Sequence, residues 1–92
     1  MIREFKHKGL ERFFTRDDRR GCPAQHIARI GRILDRLNAA ANPKDMDLPG
    51  YRFHRLKGNR ANTHSVMVSG NLRITFEWDG EDAVRVNLED YH

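Results

Sequence analysis

The second half of the chain alternates apolar and polar side chains, and this pattern constrains the fold more than any other feature. Four segments after residue 50 share it: "YRFHRLKG", "HSVMVSG", "LRITFEW" and "AVRVNLEDYH". Alternation with a period of two predicts half-buried strands. Gly70-Asn71 and Asp79-Gly80 separate the last three segments, and such pairs favour tight hairpin turns because they tolerate positive φ. We therefore expect the last three strands to form an antiparallel meander.

The first half of the chain carries helical signals instead. We expect a short strand before Gly9, followed by a short helix over "LERFF" and a longer helix that begins near Pro23 and ends near "NAAANP". The longer helix has one apolar stripe, formed by Ile27, Ile30, Ile33, Leu34 and Leu37. The predicted fold class is α+β, with an N-terminal short strand and two helices packed on a mostly antiparallel, twisted sheet of four to five strands.

Length and charge narrow the class of protein. With 92 residues the chain is predicted to form a single domain, residues 1–92. Seventeen Lys and Arg against thirteen Asp and Glu give a net charge of +4, which is compatible with an anionic partner such as nucleic acid. One cysteine, no export signal and no membrane-spanning run make the cytoplasm the expected location.

The alternation also sorts the side chains between the two sides of the sheet. Leu72, Ile74, Phe76 and Trp78 share the apolar side of their strand, so Arg73 is expected on the polar side. Phe53 takes the apolar side of its own segment, which places His54 on the polar side with Arg73. On the last strand, the residues expected to face the core are Val84, Val86 and Leu88.

The chain ends in three chemically useful side chains, Asp90, Tyr91 and His92. A regular strand would send Tyr91 to the polar side and turn Asp90 and His92 inward. Because a buried, unpaired carboxylate is costly, we expect the strand to stop, twist or bulge near Glu89, or else to leave Asp90 at an open sheet edge.

The segments "LKGNR", "HSVMVSGNLRITFEW" and "LEDYH" resemble the RelE/ParE superfamily of bacterial toxins, and specifically its HigB branch. The resemblance extends from "FKHKGLERFF" to the C-terminus and implies a RelE-like fold. It also implies an endoribonuclease without metal or cofactor that enters the ribosomal A site, at the 16S rRNA, and cuts the mRNA being decoded. A cognate helix-turn-helix antitoxin, similar to HigA, would neutralise it, and any contact with DNA would be through the antitoxin complex.

Six positions match the active-site set of that branch. They are His54, Lys57, Arg73, Asp90, Tyr91 and His92. Many relatives have a cation where this chain has Met67, so the resemblance implies that phosphate binding depends more heavily on Lys57, Arg60 and Arg73.

The six residues also supply the chemical groups that metal-free RNA cleavage needs. RNA cleavage by the ribose 2′-OH needs a base, an acid and cations that stabilise the extra negative charge. His54 and Asp90 suit the two proton transfers, and Lys57 and Arg73 suit the charge. Tyr91 can orient the 2′-OH or stack on a base, because aromatic stacking commonly holds unpaired RNA.

Each of these residues also has a purely structural interpretation. His54 could be an ordinary surface histidine, Lys57 and Arg60 could solubilise a loop, and Arg73 could be a cross-strand partner of Glu89. Another row of cations, Arg29, Arg32 and Arg36, follows one helix face. That row could contact RNA phosphates or the ribosome, or it could simply be a solvated helix face.

Three classes of function remain after these arguments. The first is the ribosome-dependent mRNA endonuclease. The second is a noncatalytic inhibitor, because ParE-type relatives share the fold and poison DNA gyrase, and such a poison would not need His54 with the terminal "DYH". The third is an RNA-binding module, which would yield no cleavage products. A zinc site is not indicated, because no C-x-x-C or H-x-x-x-H spacing is present.

Overall fold

Two helices precede a four-stranded antiparallel sheet in the computed structural model, which describes residues 1–90. The predictions for Tyr91 and His92 therefore lie outside the described residues. The regular elements are α1 (Lys8–Arg16), α2 (Ile27–Ala39), β1 (His54–Arg55), β2 (Thr63–Ser69), β3 (Leu72–Asp79) and β4 (Asp82–Asp90). Short 3₁₀ helices cover Ala24–His26, Pro43–Met46 and Gly58–Arg60. The predicted α+β class is confirmed.

Helix α2 contributes most of the helical part of the core. Four residues of its predicted stripe are fully buried: Ile30, Ile33, Leu34 and Leu37. The helix begins at Ile27, after the first 3₁₀ helix, so Pro23 precedes it by more than one turn. The stripe packs against the apolar side of the sheet, where Val66, Ile74 and Phe76 are also fully buried.

Two close contacts hold the N-terminal end of helix α1. His7 caps its N-terminus, because the backbone N–H of Leu10 donates to His7 Nδ1 at 3.0 Å. Gly9 packs against the turn before α2 so closely that a Cβ at this position would lie 2.4 Å from the carbonyl oxygen of Gly21. A side chain at Gly9 would therefore push the two segments apart.

The strands follow one another in the order β1-β2-β3-β4, so the predicted meander is confirmed. Ser69 pairs with Leu72, which makes Gly70-Asn71 the first hairpin turn, as predicted. In the second hairpin, Asp79 pairs with Asp82. The turn is therefore Gly80-Glu81, one residue later than predicted, and Gly80 has the positive φ of 64° that the turn needs.

The N-terminal segment lies along the outer edge of β4. The predicted strand is reduced to two isolated parallel bridges, Ile2 with Ala83 and Phe5 with Val86. Ile2 and Phe5 are the apolar residues of this segment that pack against the core, and the residues between them are exposed. The segment therefore completes one edge of the sheet without a continuous ladder.

A β-bulge interrupts β4 at Arg85, whose φ is 51°. Thr75 pairs with Asn87 and Glu77 pairs with Val84, so β4 has one more residue than β3 between these two pairs. The extra residue reverses the alternation on the N-terminal side of the bulge. Val84 is buried as predicted, but it pairs with Glu77, on the side of the sheet away from Ile74 and Phe76.

Ala83 takes the core position that the regular pattern assigned to Val84. It pairs with Trp78 and is fully buried in the core cluster. Beyond the bulge the predicted alternation holds, because Val86 is fully buried and Leu88 packs against the core beside Ile74. The bulge thus leaves the C-terminal half of β4 in the predicted phase.

Candidate active face

The side of the sheet that faces away from the helices carries mostly polar side chains, and we call it the polar face. Two of its rows contain the predicted site residues. One row crosses all four strands and contains His54, Ser65, Thr75 and Asn87. The neighbouring row contains Met67, Arg73 and Glu89. The prediction that His54 and Arg73 share one side of the sheet is confirmed.

Ser65 connects these two rows. Its side chain is fully buried, its backbone pairs with His54, and its hydroxyl accepts a hydrogen bond from Arg73 Nη1 at 3.3 Å. A buried hydroxyl of this kind fixes the direction of the guanidinium that donates to it. Sequence reasoning did not single out Ser65, although its alternation with Val66 placed it on the polar side.

His54 lies exposed on β1, and its ring is oriented by a backbone carbonyl. His54 Nδ1 lies 3.1 Å from the carbonyl oxygen of Arg52. Because a carbonyl oxygen only accepts hydrogen bonds, this contact requires the proton on Nδ1. In the neutral imidazole, Nε2 then carries the lone pair and is available as a proton acceptor.

Strand β1 is much shorter than the predicted segment of residues 51–58. Arg52 has a φ of 47°, a left-handed conformation that is uncommon for a residue with a side chain, and Gly58 has a φ of 70°. These two positions break the extended backbone on either side of His54–Arg55. The alternating pattern could not report them because it describes side chains and not φ.

Lys57 and Arg60 lie on the loop that joins β1 to β2. Lys57 is exposed and immediately precedes the 3₁₀ turn at Gly58–Arg60. The loop closes on the sheet because the N–H of Leu56 donates to the carbonyl oxygen of Thr63 at 2.9 Å. Arg60 then reaches across the polar face to Glu89.

The ion pair of Arg60 with Glu89 is bidentate. Nη1 and Nη2 of Arg60 donate to the two carboxylate oxygens of Glu89 at 3.0 and 2.6 Å, and the hydroxyl of Thr75 donates to the same carboxylate. The hydrogen bonds from Arg60 hold the pKa of Glu89 below its usual range despite partial burial, with a smaller contribution from Thr75. Arg73 pairs with Glu89 in the backbone register, as the cross-strand interpretation predicted.

Asp90 is the last residue of β4 and is exposed. It pairs with Leu72, one position beyond the pair of Arg73 and Glu89. Successive residues of a strand alternate sides, so Asp90 emerges on the side opposite to Arg73, at the open end of the sheet. Between β3 and β4 the register is irregular at Arg85 and not near Glu89, and Asp90 is exposed on β4, so the open sheet edge is the predicted alternative that fits.

The three arginines of the α2 row have different environments. Arg29 is half-buried and donates to the carbonyl oxygens of Met67 and Gly50, each at 2.8 Å through Nη2, while its guanidinium lies 5.1 Å from the centre of the Tyr51 ring. Arg32 and Arg36 are exposed. The row is therefore divided between one residue tied to the loop before β1 and two that face solvent.

His64 is packed between aromatic rings. The His64 ring lies between the rings of Phe53 and Phe76, with centroid distances of 5.6 and 5.5 Å. Burial lowers the pKa of His64, which favours the neutral ring.

Within residues 1–90, no group of three or more His, Cys, Asp or Glu side chains is arranged to hold a metal ion. None of the described helices is long and apolar enough to cross a membrane.

Comparison with known proteins identifies the family. Residues 3–92 match the RelE-like toxins of the type II toxin-antitoxin system HigB. The chain belongs to the HigB family of RelE-like toxins. It is 40% identical to Endoribonuclease HigB of Proteus vulgaris, with all of both chains covered. It is 37% identical to Toxin HigB-1 of Vibrio cholerae serotype O1, over 95% of this chain and 92% of the relative. As a type II toxin of the HigB family, the protein has a cognate antitoxin as its partner.

Proposed function

We propose that this HigB-family toxin is an endoribonuclease that enters the ribosomal A site, cuts the mRNA being decoded by metal-independent attack of a ribose 2′-OH, and thereby inhibits translation. A cognate helix-turn-helix antitoxin neutralises it. Two facts support the proposal: the relative from Proteus vulgaris is named an endoribonuclease, and the polar face carries a histidine, a buried hydroxyl and an arginine in contact or in register.

The observation that carries the proposal most directly is the orientation of His54. Its Nδ1 faces the carbonyl oxygen of Arg52, so Nε2 is the nitrogen available to accept the 2′ proton. Arg73, directed by Ser65, and Lys57, on the adjoining loop, stabilise the additional negative charge on the phosphate. His54 is therefore the general base in this mechanism.

The C-terminal residues complete the mechanism. Asp90 is exposed at the end of β4, on the side of the sheet opposite to Arg73, so the RNA must pass around this end of the sheet to meet it. There the protonated carboxyl of Asp90 gives its proton to the leaving 5′ oxygen, as the resemblance to the family implies. Tyr91 orients the 2′-OH and His92 contacts the RNA, as the resemblance to the family implies. The ribosome positions the mRNA, because a site this small has few groups that could align the scissile bond on its own.

Single-turnover cleavage of ribosome-bound mRNA tests this mechanism. His54→Ala and Asp90→Asn should each lower the rate by about 100-fold to 10,000-fold, which is the usual contribution of a proton-transfer group. His26→Ala, which changes a histidine outside the polar face, should cut at the wild-type rate. Cleavage should persist in excess chelator and leave a 2′,3′-cyclic phosphate and a 5′-hydroxyl.

Two outcomes would contradict the mechanism. Mass spectrometry that finds a 5′-phosphate on the product would exclude attack by the 2′-OH. Equal rates on free and ribosome-bound mRNA would make the protein a general ribonuclease instead. Thermal melts of each variant confirm that the compared proteins are folded.

A further inference from the structure

A groove of about 270 Å³ opens on the polar face beside the proposed catalytic residues. It lies between the 3₁₀ turn at Gly58–Arg60 and β4, and both Thr75 and Asn87 line it. These two residues belong to the row that begins at His54. Neighbouring strands are roughly 5 Å apart, which places Thr75 about 10 Å from His54 along the row. A nucleotide adjacent to the cut is close enough to enter the groove.

Two arginines that line the groove are each bound by a carboxylate. Arg60 is held by its bidentate pair with Glu89, and Arg85 is held by Glu77, with 3.0 Å between Arg85 Nε and Glu77 Oε2. Proteins that recognise unpaired RNA commonly stack bases on guanidinium planes. The two carboxylates therefore prepare surfaces on which a base could stack, at little cost in side-chain entropy on binding.

The polar groups of the groove suit a base better than a phosphate. The groove is lined by two carboxylates, each paired with an arginine, and by one further cation, Lys6. A phosphate in the groove would meet Glu77 and Glu89 at short range, which is unfavourable. Asn59, by contrast, offers a donor and an acceptor, the combination that pairs with a base edge. Asn87 donates one N–H to Glu89 and keeps its carbonyl oxygen and a second N–H for the same purpose.

We propose that this groove is a nucleobase subsite that reads one unpaired base of the RNA next to the scissile bond. The inference rests on the proposed endoribonuclease function and adds a determinant of sequence preference to it. Arg60 and Arg85 supply stacking surfaces, and Asn59 and Asn87 pair with the edge of the base. The subsite lies on the same sheet and loop that carry His54 and Arg73, so base recognition and cleavage share one support.

Cleavage-site preference tests the subsite. Ribosome-bound mRNAs that differ only in the base flanking a mapped cleavage site are cut by the wild-type protein, Asn59→Ala, Asn87→Ala and the control Asn62→Ala. Asn62 is exposed and does not line the groove. The two groove variants should lose roughly 5-fold to 100-fold of the preference between the best and worst flanking base, which is the discrimination that a paired amide supplies. The control should keep the wild-type preference.

Two results of this experiment would overturn the nucleobase subsite. Unchanged preference in both folded groove variants would overturn the subsite, and so would an equal loss of rate on all four flanking bases, because that result indicates a general structural effect. If Asn87→Ala does not fold, Asn59→Ala decides alone, since Asn59 is exposed on its turn. A wild-type protein that cuts no RNA would remove the proposed function and the subsite together, whereas wild-type cleavage with unchanged variant preference removes the subsite only.

Discussion

At the scale of single residues, Arg29 shows that the contacts a cation makes in the fold decide its role. It donates to the carbonyl oxygens of Gly50 and Met67, while the backbone N–H of Met67 donates to the carbonyl oxygen of Tyr51 at 2.7 Å. These contacts hold the segment that leads into His54 against β2. We therefore expect Arg29 to act mainly as a positioning residue for the β1 segment.

Substitution of Arg29 tests this expectation. Arg29→Ala removes charge-assisted hydrogen bonds to two carbonyl groups and should lower the free energy of unfolding by about 1 to 3 kcal/mol. Arg29→Lys should recover part of the loss, because a lysine can bond one carbonyl but cannot reproduce the planar fork. Arg32→Ala, at an exposed position, is the matched control and should change stability little. Chemical denaturation measures all three, and equal stability of Arg29→Ala and Arg32→Ala would refute the assignment.

At the scale of elements, the pair of Arg60 with Glu89 joins the loop after β1 to the last strand. The two residues are 29 positions apart in sequence, and their contact spans β2 and β3. Lys57 lies on the same loop as Arg60, and Asp90 follows Glu89. The ion pair thus links two segments that carry proposed catalytic side chains.

The pH dependence of stability tests this link. The pKa of Glu89 is lower in the folded protein than in the unfolded chain, mainly because Arg60 donates hydrogen bonds to it. Its stabilisation is therefore fully present above the unfolded pKa of about 4.3 and is lost as the pH falls through the folded pKa. Glu89→Gln should be less stable at neutral pH by about 1 to 3 kcal/mol. It should also lose less stability than the wild type on acidification below pH ~4.3.

The control for this experiment uses an exposed ion pair. Glu77→Gln removes the partner of Arg85, whose side chain is 50% exposed, and should cost less than Glu89→Gln. Urea denaturation at neutral and acidic pH compares the two variants with the wild type. Parallel loss of stability in the wild type and in Glu89→Gln on acidification would show that the ion pair does not contribute in this way.

At the scale of the whole molecule, two basic surfaces lie on opposite sides of the sheet. The polar face carries Arg73, and Lys57 is exposed on the adjoining loop between β1 and β2, whereas Arg32 and Arg36 are exposed on α2, which packs on the other side. If both surfaces contact RNA, the α2 row serves attachment to the ribosome and not the reaction. The net charge of +4 makes such attachment sensitive to salt.

The double variant Arg32→Ala/Arg36→Ala tests that division. It should weaken ribosome binding and reduce the dependence of the logarithm of affinity on the logarithm of salt concentration by about 1 to 2 units. The single-turnover rate at saturating ribosome concentration should stay at the wild-type value. Binding is measured across a salt series. A slope equal to that of the wild type would show that Arg32 and Arg36 belong to a solvated helix face.

Much of the candidate site could be predicted because it depends on local periodicity. The alternation of β3 places Arg73 on the polar face, and Phe53 places His54 beside it, since a strand has only two sides. The core of α2 followed from its stripe for the same reason, with a period of 3.6 residues. The resemblance to the HigB branch supplied the terminal residues of the proposed site, and for Tyr91 and His92 these remain predictions.

Tertiary structure alone decided the features that depend on φ or on distant partners. The left-handed backbone at Arg85 places Ala83 instead of Val84 on the side of the sheet with Ile74 and Phe76, and no alternating pattern records where a strand takes up an extra residue. Likewise, Arg60 and Arg29 looked like cations available to RNA, yet one is paired with Glu89 and the other with backbone carbonyls. A sequence determines which side of a strand or helix a residue occupies, because that is set by neighbours along the chain. The partner that a long side chain meets depends on how separate elements pack, which local periodicity does not contain.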